Sequence, residues 1–171
     1  MDWLRSRKLK KGTKQWNDLY NCLHDFAMEY WVYIVLIDEK EWDIQKIETT
    51  KSAAVSDLRL AARIWPEGKS ILEDMERWFD RQVKVREVEH INRNLSITER
   101  IYIKRVSGGD LGEWDDIQQQ LKWAKSAMFA CCDKIKKLTS IDVQSWLEHL
   151  NVDEDRMVMD KLKKETGNHT E

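Results

Sequence analysis

Residues 14–48 read KQWNDLYNCLHDFAMEYWVYIVLIDEKEWDIQKIE, and the fold turns on how this stretch is read. Taken in heptads from Trp16, one apolar set is Trp16, Leu23, Tyr30, Ile37 and Ile44. A second is Leu19, Phe26, Tyr33, Lys40 and Ile47, in which only Lys40 breaks the pattern. Apolar residues recurring three and four apart line one face of a helix, so the spacing predicts one long helix over 14–48, capped by Thr13. A local reading competes with it. Trp31 to Ile37 is β-branched and aromatic, and alone it would suit a buried strand. The heptad phase runs on through both sides of that stretch, so helix is the expectation, with burial all round at 30–37.

Working outward, a second helix is predicted over 51–65, with Ala54, Leu58, Ala61 and Trp65 on one face and Pro66 and Gly68 ending it. Ser70 and Glu73 form a capping box that opens a third helix to about 92, with an inner stripe of Ile71, Met75, Trp78, Val85 and Val88. Ser96 and Glu99 open a shorter helix to about 106, and Ser107-Gly108-Gly109 is the clearest break. The cleanest periodicity lies at 111–138. There Trp114, Leu121, Met128 and Ile135 alternate with Ile117, Ala124, Cys131 and Leu138, four heptads of a coiled-coil-grade seam. A helical hairpin is expected at 140–164.

The expected architecture is therefore all-α, a compact helical bundle. Helices 14–48 and 111–138 are its main struts, packed near-antiparallel through their heptad faces, with 70–92 as the third member. Residues 1–12 form a basic flexible segment, 13–139 the bundle core, 140–164 the C-terminal hairpin and 165–171 a disordered tail.

Composition agrees with this class. A length of 171 residues suffices for a core without metal or disulfide support, and one Pro with six Gly leaves long helices uninterrupted. Cys22, Cys131 and Cys132 are an odd number with two adjacent, which is no disulfide framework and points to a reducing, intracellular compartment. Residues 1–12 lack the apolar core of a signal peptide, and the most apolar run, Tyr30 to Ile37, is too short to span a bilayer. Nine Trp is a large excess, and such rings go to cores and binding surfaces.

Chemical motifs are sparse. Glu87 and His90 make one Glu-x-x-His pair, whereas di-iron bundles need it twice. No zinc spacing, nucleophile elbow or phosphate loop occurs, so no metal, cofactor or catalytic residue is expected. Glu73 with Glu76, and Glu113 with Asp116, each place two carboxylates on one helix face. This pattern resembles that of the all-α nucleoside triphosphate pyrophosphohydrolases, which would imply Mg²⁺-dependent hydrolysis. The two pairs stand farther apart here than in that family, with an extra helix between them. Residues 140–150, with Trp146-Leu147, resemble the opening of a SAM domain. The likeness covers only about a dozen residues and implies no more than a leaning toward protein contact.

Two binding signals stand out. The net charge is only -2, yet Arg5, Arg7, Lys8, Lys10, Lys11 and Lys14 crowd the start of the chain beside Trp3 and Trp16. Cations near aromatic rings suit nucleic acid, which makes these six residues the candidate nucleic-acid-binding set. The second signal is the excess of Trp and apolar seam. The leading expectation is a non-enzymatic regulatory or adaptor protein that binds another protein, a second copy of itself included. Nucleic-acid binding and the Mg²⁺ enzyme are the alternatives.

Overall fold

The computed structural model describes residues 8–94 and 114–148. Among them the fold is all-α, as the periodicity predicts: α1 (Lys14–Asp38), α2 (Ile44–Ile64), a 3₁₀ turn (Pro66–Gly68), α3 (Lys69–Asn94), α4 (Trp114–Thr139) and α5 (Val143–Glu148). The predicted helix at 96–106 and the second half of the C-terminal hairpin lie outside these residues.

The helix expected over 14–48 is corrected into two. α1 starts on Thr13, whose hydroxyl accepts from the Trp16 N–H at 3.2 Å, and stops at Asp38. Glu39 to Asp43 turn the chain. Trp42 Nε1 donates to the Ile37 carbonyl at 3.1 Å, and the Asp43 carboxylate caps α2 by accepting from the Lys46 N–H at 3.1 Å. Residues 30–37 are helical, but burial all round does not hold. Tyr30, Tyr33, Ile34 and Ile37 are buried, while Trp31, Val32, Val35 and Leu36 are half-buried.

α2 returns antiparallel to α1. Gln15 Nε2 donates to the Ile64 carbonyl at 2.8 Å, and the Cys22 thiol donates to the Asp57 carbonyl at 2.9 Å. The predicted stop at Pro66 and Gly68 is present as the 3₁₀ turn. The turn runs straight into α3, so Ser70 lies inside the helix rather than capping it. Gly68 seats against the Trp65 ring so closely that a Cβ there would fall within it. α3 runs antiparallel to α2, with Arg59 Nε to Glu76 Oε1 and Lys51 Nζ to Glu87 Oε1 each at 2.9 Å.

Of the predicted inner stripe of α3, Met75 and Val85 are buried, Ile71 and Trp78 pack half-buried against the core, and Val88 is half-buried. Leu72, Phe79, Gln82 and Val83 are buried as well and were not in the predicted stripe. Phe79 is the hub of the core, with ring centroids 5.8 Å from Phe26, 6.0 Å from Tyr30 and 5.9 Å from Tyr33. Edge and tilted pairs of this kind add to what burial alone supplies. Tyr30 Oη donates to Gln82 Oε1 at 2.5 Å, and Gln82 Nε2 to Met128 Sδ at 3.4 Å, so one polar thread ties α1, α3 and α4 together. Burial pushes the Tyr30 phenol up, which keeps it a donor.

α4 keeps its predicted seam, with Ile117, Ala124, Met128, Cys131 and Ile135 buried. Its partner is not α1, as expected of two main struts, but α3. α1 and α4 run in opposed directions and meet at one end, where Trp16 Nε1 donates to the Thr139 carbonyl at 2.6 Å and the Leu9 N–H to the Leu138 carbonyl at 3.0 Å. Those are the carbonyls a helix end leaves without partners. α5 packs against both α1 and α4, and Ile141, Val143 and Leu147 join the core.

Candidate docking groove

Trp123 decides where the surface is of interest. It stands between the seam positions Leu121 and Ala124, off the buried seam of α4, and it is 63% exposed. No other large apolar side chain among the described residues is so open. Ala124, being small, lets α3 approach α4, and half-buried Trp78 of α3 lines the same cleft. The two indoles line a groove of 610 Å³ between the helices, together with Arg77, Asp80, Arg81, Lys84 and Gln120.

The charge of this groove is one-sided, three cations against one carboxylate. Arg81 Nη2 donates to Gln120 Oε1 at 3.0 Å, which holds its guanidinium across the groove. Lys84 reaches Asp80 at 3.0 Å, and Arg77 reaches Asp74 at 3.4 Å. Such exposed pairs contribute little and open readily to a competing carboxylate. The groove therefore offers flat apolar faces flanked by cations that can exchange partners.

A second groove of 660 Å³ lies between α2 and α3, lined among others by Leu58, Arg63, Pro66 and Lys69. Here too cations are paired with carboxylates. Arg59 grips Glu76 through Nε and Nη2 at 2.9 and 3.3 Å, and Lys69 reaches Glu73 at 3.8 Å. These are the carboxylates of the first acidic pair: Glu76 faces Arg59 of α2, and Glu73 pairs with Lys69 one turn earlier on α3. Glu113 and the Asp116 side chain lie outside the described residues. No group of three His, Cys, Asp or Glu among the described residues is placed to hold a metal ion. Of the Glu-x-x-His pair, Glu87 is bound by Lys51, and His90 stacks on Trp42 with centroids 4.2 Å apart.

In the basic segment, Arg5 and Arg7 lie outside the described residues. Lys8, Lys10, Lys11 and Lys14 are all exposed, and Lys14 pairs with Asp18 at 3.5 Å. Lys11 Nζ sits 5.9 Å from the Trp16 ring centroid, but Trp16 is buried and its N–H is spent on Thr139. Its faces are therefore committed to the fold. The three thiols are buried, which pushes Cys22 up to about 11 and Cys132 up to about 12 and raises Cys131 as well, so all three stay protonated at neutral pH.

Sequence reasoning missed the groove because it placed Trp78 on the inner stripe and gave Trp123 no role. The signal was present. Trp123 occupies a position between two seam residues, on the face where Gln119 and Lys122 put polar groups. No helix among the described residues is long and apolar enough to cross a membrane. No protein family, no curated protein and no solved structure matches this chain, so the groove is read from its own chemistry.

Proposed function

We propose that this chain is a non-enzymatic binding protein of the adaptor or regulatory kind, and that its docking surface is the α3–α4 groove. The observation that carries the reading is the exposed Trp123 beside Trp78 in a cation-flanked cleft. Covering an indole removes on the order of 150 Å² from water, roughly 3–4 kcal/mol gross at about 25 cal/mol per Å². That is the scale of an interface hot spot. The flanking cations add selection. A segment with carboxylates beside its apolar anchors is drawn in, and one with lysines is repelled. The partner that fits is an amphipathic helix with anchors at i, i+3, i+4 and i+7 and acidic flanks.

Calorimetric titration with a short amphipathic helical peptide tests this. A peptide with Leu anchors and Glu flanks binds, and Trp123→Ala weakens it at least tenfold. The same peptide with Lys flanks does not bind. Equal binding of both peptides, or affinity indifferent to Trp123→Ala, overturns the reading.

Lys8, Lys10 and Lys11, exposed and without ion pairs among the described residues, favour a second reading as a phosphate-binding strip for nucleic acid. With Trp16 buried it rests on charge alone. Its mark is an affinity that falls steeply with salt and is lost when Arg7, Lys8, Lys10 and Lys11 become Ala. Binding that survives those changes removes it.

A further inference from the structure

We propose that the occupant of the α3–α4 groove is the outer face of α1 from a second copy of this chain. The inference rests on the groove being a docking surface and names its partner. Met28, Trp31, Val32 and Val35 fall at i, i+3, i+4 and i+7 of α1, the anchor spacing of a helix laid into a groove. They lie on the side away from Phe26, Tyr30 and Tyr33. Met28 is 47% exposed, and the other three are half-buried.

The flanks complete the match. Along α1 the acids are Asp18, Asp25, Glu29 and Asp38, and the only Lys or Arg is Lys14, paired with Asp18. Asp25 and Glu29 border the stripe; burial first, and then the charges of these two, push the Asp57 carboxyl of α2 up to about 6. An acid-flanked apolar stripe thus meets a cation-flanked aromatic groove. Groove on groove would set cation against cation, and stripe on stripe acid against acid, so the contact joins unlike faces. A copy cannot fill its own groove, because α1 already holds Phe79 and Val83 of α3 with its inner face. Each copy then offers one stripe and one groove, and such head-to-tail contacts extend beyond a dimer, to a ring or an open chain.

Analytical ultracentrifugation of the full chain decides it. The expected wild-type weight-average mass climbs from the 20.5 kDa monomer past two chains as concentration rises. Trp123→Ala, which lacks the groove anchor, and Val32→Glu, which spoils the stripe, each stay monomeric. Mixed in equal amounts they form a one-to-one pair that grows no further, since one intact groove meets one intact stripe. Arg81→Glu and Glu29→Lys, both at polar positions, repeat the test with no apolar residue changed. Each weakens association at least tenfold, and the chain carrying both regains it. A wild-type monomer at every concentration, or a mixture that fails to pair, overturns the inference. If the Glu-flanked peptide still binds in that case, the proposed function stands without it. If the peptide fails too, both fall.

Discussion

Phe79 and Trp123 are large aromatic residues on neighbouring helices, and the fold treats them in opposite ways. Phe79 is 1% exposed, with three aromatic rings around it contributed by α1. Trp123 is 63% exposed and touches a groove whose other walls are mostly charged. The interior spends its aromatics on one another, and the α3–α4 face leaves an indole in water. A ring inside stabilises the fold, whereas a ring outside stabilises only a complex, so substitutions at the two places have different readouts.

The largest effect is expected at the hub. Phe79→Ala removes a ring that Phe26, Tyr30 and Tyr33 cannot collapse around, and costs about 3–5 kcal/mol in denaturant unfolding. A loss under about 1 kcal/mol would mean that the aromatic cluster is not the core. Next is Gly68→Ala. Its new methyl has no space beside the buried Trp65 ring, which must shift, at about 1–3 kcal/mol. Thermal unfolding of that variant at wild-type temperature would show the ring to be loosely held.

A smaller effect, of opposite sign, comes from Asp57. Burial first, then Asp25 and Glu29, push its carboxyl from 3.8 to about 6, so the folded chain holds that proton more tightly than the unfolded chain. Stability from this group is therefore lost as pH rises from about 4 through 6 and stays lost above. Asp57→Asn raises the midpoint of unfolding at pH 7, and the gain shrinks to nothing near pH 4. A gain that is equal at both pH values would assign it to packing rather than charge. Smallest of all is Trp123→Ala, which changes stability by no more than about 0.5 kcal/mol, as exposed positions do.

Much of this fold was legible in the residue spacing, and the failures have physical causes. Of the seam predicted at 111–138, Ile117, Ala124, Met128, Cys131 and Ile135 are buried and Leu121 and Leu138 half-buried, as the spacing requires of a packed face. At 14–48 the same kind of periodicity misleads. Ile44 continues the heptad on paper, but it is 58% exposed and sits in the first turn of a new helix. The true break was marked by Lys40, the one polar residue in the phase, and by Asp43, whose carboxylate caps α2. Periodicity counts residues along the chain and has no term for a five-residue connection that preserves the phase. The groove was only partly legible, for a different reason. Trp78 and Trp123 were part of a counted surplus, yet which of nine indoles stays outside depends on how α3 rotates against α4, and that is set by Phe79 facing α1.

The division between a satisfied core and an open Trp is tested most directly by thermal unfolding of Trp123→Ala, run with and without the Glu-flanked helical peptide. The account predicts that, at a dilution where both proteins are monomeric, the variant melts with the wild type when alone. Saturating peptide then raises the wild-type midpoint through linkage and raises the variant's by less. A variant that melts several degrees lower without peptide would place Trp123 in the core, and an equal peptide-induced rise in both proteins would place the docking surface elsewhere.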